Sequence, residues 1–273
     1  MIISSNKGEL KMHNKIFLSE NNYSNIVGPD GAGKDSAMEI VIPQLENVVL
    51  FREPGGTIEA EMIREIILST SEEKRIELFS SIKEVDILDR TKNLLKLAEK
   101  EYLSNRMDMM EVYLFAASRS ETNEKVVKKA LAEKKAVLGS RSVSCSMAYQ
   151  GHARGIDKNF VWETNMKAID RLPNFEIFLD IPTEVAMERL SKRTGKQDRI
   201  DLEGQEFHRK SREGYLEFFK QGHFPVFIVD ATQSIEKVAE DILTIIKKQN
   251  YNKRRLNVFF LYKILLIITF SIK

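Results

Sequence analysis

One stretch of the chain, SNIVGPDGAGKDS at residues 24–36, limits the possible folds more than any other. An apolar run over 24–29 leads into a glycine-rich turn, and a helical pattern over 33–42 follows directly. A strand that passes through such a turn into a helix is typical of a parallel sheet with crossover helices. The stretch therefore predicts an α/β fold.

Further apolar runs of strand length follow along the chain. They are NVVLFRE at 47–53, KAVLGS at 135–140, FEIFLDI at 175–181 and PVFIVDA at 225–231. Parallel strands that are buried on both faces show continuous apolar runs of this kind. Together with the run at 24–29, they predict a parallel central sheet of about five strands flanked by helices.

Helical periodicity fills the stretches between these runs. The predicted helices cover 33–42, 59–68, 108–133, 157–171, 183–193, 203–221 and 234–249. The segment 70–107 is densely charged with helical periodicity, so we expect a solvated helical insertion. Residues 1–20 are polar and are expected to extend from a single domain over 21–250.

Composition limits the partners and the compartment. The chain has 42 Lys and Arg against 40 Asp and Glu in 273 residues, and a net charge of +2 predicts no general affinity for nucleic acid or membranes. A single cysteine, Cys145, excludes a disulfide framework. The N-terminal residues contain no apolar region of the secretory type. We therefore expect a cytoplasmic protein.

The C-terminal segment 251–273 is basic and then apolar. NKRR at 252–255 precedes an apolar run over 256–272 that Lys263 interrupts. As a helix this run would span about 26 Å, slightly less than a bilayer core. We expect a segment that is packed on the domain or poorly ordered, with membrane contact by 256–272 as the less favoured alternative.

The glycine-rich turn itself indicates phosphate binding. Gly28, Gly33 and Lys34 fit the pattern G-x-x-x-x-G-K-[ST], but Asp35 stands where a hydroxyl normally helps to hold Mg²⁺. Backbone N–H groups and the positive end of the helix dipole meet at such a turn, and its lysine bridges the terminal phosphates. The predicted triphosphate loop is Gly28, Pro29, Asp30, Gly31, Ala32, Gly33, Lys34, Asp35 and Ser36.

Basic residues lie near the predicted carboxyl ends of two other strands. Arg52 follows VVLF and Arg141 follows AVLGS, so both are expected at the sheet edge where α/β proteins bind ligands. With the loop they favour an anionic substrate beside the triphosphate. A third basic cluster, 188–199, is either a solvated face or a lid that closes over the donor.

Four motifs in this order resemble the bacterial-type thymidylate kinases (dTMP kinases). They are GPDGAGK at 28–34, REPGGT at 52–57, YLFAASR at 113–119 and SRSVSCSMAYQG at 140–151. The resemblance covers roughly 24–250 apart from most of 70–107. It implies a P-loop kinase fold with a lid over 188–203, ATP as co-substrate with Mg²⁺, dTMP as the acceptor that becomes dTDP in dTTP synthesis, and a homodimer.

The resemblance also implies roles for single residues. Those of the acceptor site are Phe115 on the pyrimidine, Arg119 at the base or nearby phosphate, Arg52 and Arg141 on the monophosphate, Tyr149 and Asp30 at the deoxyribose, Ser146 and Gln150 around the base, and Glu53 in the same site. Lys34 would contact the β and γ oxygens of ATP. Because the loop contains no arginine, the lid should provide one: Arg193 is the first candidate, with Arg189 and Arg199 next.

Three positions depart from the family pattern. The family usually has Thr or Ser at 35 and Asp at 118 and 140, whereas this chain has Asp35, Ser118 and Ser140. A carboxylate is a good ligand for Mg²⁺, so we hypothesise that Asp35 replaces the charge that is missing at position 140. The alternatives are a kinase for another small nucleotide or nucleoside, and a homologue that binds nucleotide without turnover.

Overall fold

The computed structural model describes residues 15–193, 199–200 and 202–251. The strands in chain order are β1 (Ile16–Phe17), β2 (Tyr23–Val27), β3 (Leu45–Glu46), β4 (Val48–Arg52), β5 (Ala136–Ser140), β6 (Phe175–Asp180) and β7 (Val226–Asp230). Five of them form a parallel sheet in the order β4-β5-β2-β6-β7. Four of the predicted runs contain one of these strands and the run at 24–29 overlaps β2, which begins one residue earlier, so the predicted sheet is confirmed. β1 and β3 form a separate parallel pair.

Helices cover both faces of the sheet. They are α1 (Lys34–Val41), α2 (Ile58–Leu68), α3 (Glu72–Ser81), α4 (Asp89–Leu103), α5 (Met107–Thr122), α6 (Lys129–Ala132), α7 (Val143–Ser146), α8 (Lys158–Met166), α9 (Thr183–Ser191), α10 (Gln205–Phe219) and α11 (235–251). A π-helical stretch, Asn123–Lys128, joins α5 to α6, and a second one, Met147–Ala153, continues α7. All the predicted helices are present.

The helix that begins with α7 was not predicted. Its sequence is rich in serine, which favours turns and caps over helix interiors. Ser142 acts as the N-cap: its side-chain oxygen accepts a hydrogen bond from the Ser144 backbone N–H at 3.1 Å. The serines therefore start a helix directly after β5, and this helix carries the AYQG motif past the sheet edge.

The insertion 70–107 forms helices, as predicted, but its inner face is not solvated. Phe79, Ile82, Leu94, Leu95 and Ala98 are buried in a cluster with side chains from α2 and α5. Most of the charged residues that dominate the composition lie on the outer faces, with Arg75 and Glu101 as buried exceptions, whereas apolar side chains at helical spacing face the domain. The insertion is thus part of the packed structure beside the site.

The end of the predicted polar extension also packs on the domain. Leu18 and Ser19 are buried, and Ser19 donates two hydrogen bonds of 2.6 Å, from its backbone N–H and its hydroxyl, to Oδ1 of Asn250 in α11. The apolar run 256–272 and lid positions 194–198 and 201 lie outside the described residues. Within the described ranges, no helix is both long and apolar enough to cross a membrane.

Candidate active site

A cavity of about 550 Å³ opens at the carboxyl ends of β2, β4 and β5. This volume is within the usual range for a small-molecule site. Most of the predicted site residues line it: Asp30, Gly31, Gly33, Lys34, Asp35, Ser36, Arg52, Glu53, Phe115, Arg119, Arg141, Ser146, Tyr149, Gln150, Arg189 and Arg193. The structure therefore brings together side chains that are spread over most of the sequence.

The loop between β2 and α1 has a conformation that requires glycine. Gly31 has φ of 83°, and a Cβ there would lie 2.6 Å from the backbone oxygen of Ala186 in α9. Both the left-handed backbone and the close contact exclude a side chain at this position. The loop is thereby held against α9 with the first turn of α1 directed at the cavity.

Lys34 lies at the base of the cavity and is buried. Its Nζ donates to the backbone oxygens of Gly28 at 2.9 Å and Pro29 at 2.8 Å. Burial and repulsion by Arg141 lower the pKa of Lys34 to about 8, although Asp30 opposes this shift. A bound polyphosphate would favour the protonated amine, so the position of this lysine suits binding of an anion in the cavity.

Asp30 joins the loop to the residues that follow β5. Its Oδ1 accepts from Nη2 of Arg141 at 2.5 Å and lies 3.8 Å from Nζ of Lys34, while its Oδ2 accepts from the hydroxyl of Tyr149 at 2.9 Å. Burial alone would raise the pKa of Asp30, but Arg141 and Lys34 outweigh it and hold that pKa well below its usual range. One carboxylate thus positions two cations and a phenol.

The two arginines of the motifs REPGGT and YLFAASR differ in environment. Arg52 is half exposed at the cavity edge, where its Nη2 donates to both carboxylate oxygens of Glu61 at 2.9 Å. Arg119 is buried and its Nε donates to Glu53 at 2.7 Å. Its other nitrogens donate to Ser146, Asn165 and the backbone oxygen of Ser142. Arg119 therefore supports the wall of the cavity as well as lining it.

The three departures from the family pattern have different surroundings. Asp35 is exposed in the first turn of α1, lines the cavity and forms no hydrogen bond or ion pair with another described residue. Ser140 lines the cavity at the end of β5. Ser118 accepts a hydrogen bond from the backbone N–H of Gly55 at 3.0 Å, so it supports the turn after β4. Across the described ranges, no three acidic, histidine or cysteine side chains cluster as a metal site.

The lid arginines do not lie together. Arg189 and Arg193 line the cavity, and Nη1 of Arg189 donates to the backbone oxygen of Ala231 at 2.9 Å. Arg199 is not part of the cavity wall; it donates to the carboxylate of Glu111 and to the backbone oxygen of Ile67. A buried carboxylate attracts this guanidinium away from the phosphate loop.

Two residues of the site were missed by sequence reasoning. Arg64 of α2 lines the cavity and its Nη1 donates to the backbone oxygen of Pro54 at 3.2 Å. Glu111 of α5 is fully buried beside the cavity and accepts from Gln150, Arg154 and Arg199. An acidic residue within the otherwise apolar stretch MMEVYLF was the signal that could have identified Glu111.

Comparisons with known proteins agree with this geometry. The family model described as thymidylate kinase matches residues 89–242. Thymidylate kinase of Leuconostoc mesenteroides is 34% identical over 229 residues, which are 81% of this chain and 92% of that protein. Thymidylate kinase of Oenococcus oeni is 35% identical over 233 residues, 83% of this chain and 95% of that protein. The crystal structure of thymidylate kinase from Ehrlichia chaffeensis has the same fold, with a TM-score of 0.54 and 22% identity, over 86% of this chain and 99% of that one.

Proposed function

This chain belongs to the thymidylate kinase family, and we propose that it transfers the γ-phosphoryl group of ATP to dTMP, which gives ADP and dTDP for dTTP synthesis. The observation that carries the proposal is the position of Asp30 between Lys34 and Arg141. Lys34 belongs to the loop that receives the donor phosphates, and Arg141 is predicted to hold the acceptor phosphate. The two phosphate sites are therefore adjacent.

The reaction needs positioning more than covalent chemistry. The backbone N–H groups of the loop and Lys34 bind the donor phosphates, while Arg141 and Arg52 hold the monophosphate of the acceptor. An acceptor phosphate oxygen attacks the γ-phosphorus in line, and ADP leaves. Negative charge that spreads over the transferred group is stabilised by Lys34 and by Arg189 and Arg193 at the cavity wall.

The cavity has oxygen ligands that suit Mg²⁺. The Asp35 carboxylate and the hydroxyls of Ser36 and Ser140 line the same space, and no described residue competes for Asp35. Held there, Mg²⁺ would neutralise negative charge on the donor phosphates. We propose that Asp35 supplies the negative charge that Ser140 lacks.

The acceptor nucleoside fits against the wall formed by α5 and the helix after β5. Phe115 is half-buried and offers a ring for the pyrimidine. Tyr149 is held by its hydrogen bond to Asp30 at 2.9 Å, and we propose that its ring packs against the sugar where a 2′-hydroxyl would otherwise lie, so that the site prefers deoxyribose.

A homodimer and a cytoplasmic location complete the proposal. The homodimer rests on the family resemblance, whereas the cytoplasmic location rests on the single cysteine, which suits a reducing compartment, and on the polar N-terminal sequence. Light scattering would show about twice the chain mass of 31.5 kDa for a dimer. A mass equal to one chain would refute it.

The acceptor is tested with a panel of monophosphates in an ADP-release assay with ATP and Mg²⁺. The highest kcat/KM is expected with dTMP. Higher efficiency on UMP or dCMP would instead favour a kinase for another nucleotide. A second candidate function is that of a homologue that binds nucleotide without turnover. It is favoured by the absence of the usual hydroxyl at position 35 and of the usual carboxylate at position 140. Tight nucleotide binding without ADP release would indicate this non-catalytic homologue.

A further inference from the structure

The side-chain amide of Gln150 has only one orientation available. Its Nε2 donates to Oε2 of Glu111 at 3.0 Å, and both residues are almost completely buried. A carboxylate accepts hydrogen bonds and has none to donate, so the nitrogen of the amide must face Glu111. The carbonyl oxygen, Oε1, is then directed away from Glu111.

The free end of this amide belongs to the cavity. Gln150 lines the cavity and is 2% exposed, and its Oε1 accepts no hydrogen bond from any described residue. This oxygen is not one of the fully buried side-chain atoms that lack a partner among the described residues, so it is open to the cavity, where a ligand that donates a hydrogen bond can take the place of water. The site therefore presents an acceptor at the position predicted to surround the base.

Two arginines donate hydrogen bonds to the other carboxylate oxygen of Glu111. Oε1 of Glu111 accepts from Nη2 of Arg154 at 3.0 Å and from Arg199. Arg154 also pairs with Glu203 at 2.5 Å. Burial disfavours the charge of Arg154, yet Glu111 and Glu203 outweigh it and raise the pKa of that guanidinium. Both guanidinium groups donate hydrogen bonds to this carboxylate, so its oxygens act as acceptors.

We propose that Glu111 sets the base preference of this kinase by fixing the amide of Gln150 with its oxygen toward the base. The inference rests on the proposed function. Thymine and uracil carry a hydrogen on N3 and can donate to this oxygen. Cytosine has a lone pair on N3, which would face Oε1 and be repelled. Glu111 itself does not touch the substrate, so it is a positioning residue.

The test is Glu111→Gln in the full chain. An amide at position 111 can donate as well as accept, so Gln150 becomes free to turn its Nε2 toward the cavity. We expect the ratio of dissociation constants for dCMP and dTMP, measured by calorimetric titration, to fall about tenfold, since one unsatisfied polar contact typically has an effect of this order. Because the ratio comes from one preparation, it is insensitive to any loss of folded protein.

dUMP and two further variants are the controls. dUMP also carries N3–H, so its ratio to dTMP should stay constant in Glu111→Gln. Arg154→Lys leaves the contact between Glu111 and Gln150 intact and should not change the dCMP ratio. Gln150→Ala removes the acceptor and should lower that ratio on its own, which keeps the inference testable if Glu111→Gln does not fold.

The outcomes separate this inference from the proposed function. If the wild-type chain phosphorylates dTMP but the dCMP ratio is unchanged in Glu111→Gln and Gln150→Ala, the role of Glu111 is refuted and the function stands. Equal changes for dCMP and dUMP would also refute it, because they indicate a general distortion of the site. If the wild-type chain forms no dTDP, the proposed function fails.

Discussion

Raising the pH should weaken nucleotide binding through Lys34. Burial and the nearby Arg141 lower the pKa of this lysine to about 8 in the nucleotide-free protein. At that pKa, about 90% of the lysine is protonated at pH 7 and about 10% at pH 9. Only the protonated amine attracts the phosphates, and bound phosphates raise its pKa. The affinity for a non-hydrolysable ATP analogue should therefore fall about tenfold between pH 7 and pH 9.

Calorimetric titration at a series of pH values measures this effect, with Lys34→Arg as the matched control. Arginine stays charged throughout this range, so the pH profile of the variant should be flat whatever its absolute affinity. A wild-type affinity that is constant from pH 7 to pH 9 would show that Lys34 does not control phosphate binding by losing its proton in this range. An equal pH dependence in Lys34→Arg would assign the titration to another group.

The same lysine has an opposite effect on folding. Its pKa in the folded protein, about 8, lies below the ordinary value of 10.5 that the unfolded chain retains. Between these values the unfolded chain binds more protons, so the contribution of Lys34 to the free energy of unfolding increases as the pH rises. Binding and stability should thus change in opposite directions over one pH window.

Three further substitutions test other parts of the structure. Asp30→Asn breaks a buried ion pair, so we expect the free energy of unfolding, measured in urea, to fall by about 3 kcal/mol. A decrease below ~1 kcal/mol would show that this carboxylate does not hold Lys34 and Arg141 in place. Asp35→Thr should lower kcat about tenfold, equivalent to ~1.4 kcal/mol in the barrier, because the carboxylate proposed to hold Mg²⁺ is then lost. A sharp increase in kcat would show that Asp35 does not compensate for Ser140. Leu94→Ala, in the buried face of α4, should lower the free energy of unfolding by about 2–4 kcal/mol. Leu97→Ala should lower it by less than ~1 kcal/mol, because the Leu97 side chain is 41% exposed. Equal losses would contradict the packing of the insertion against the domain.

The sheet and the phosphate loop could be predicted because local patterns determine them. A run such as FEIFLD at 175–180 is buried on both faces of a parallel sheet, and continuous apolarity expresses this directly. The loop glycines likewise follow from backbone requirements within a few residues. The helix after β5 was missed because its capping by Ser142 depends on one hydrogen bond that composition does not reveal.

Long-range pairing could not be predicted. Arg199 was proposed as a lid arginine, but its partner Glu111 lies 88 residues away in the sequence. Arg119 matched a family motif, whereas only the structure shows that Glu53 and Asn165 occupy its donors. The buried inner face of the insertion 70–107 could not be recognised from its sequence, because charged residues dominate the composition of this segment. In each case the deciding contact joins elements whose relative position is not encoded in local periodicity.

Phosphoryl transfer is tested most directly by quantifying dTDP and ADP by chromatography after incubation with ATP, Mg²⁺ and dTMP. We expect equal amounts of the two products from the wild-type chain, and neither product from Lys34→Ala. Nucleotide binding without any dTDP, or dTDP formation that persists in Lys34→Ala, would contradict the proposed role of this chain as a dTMP kinase.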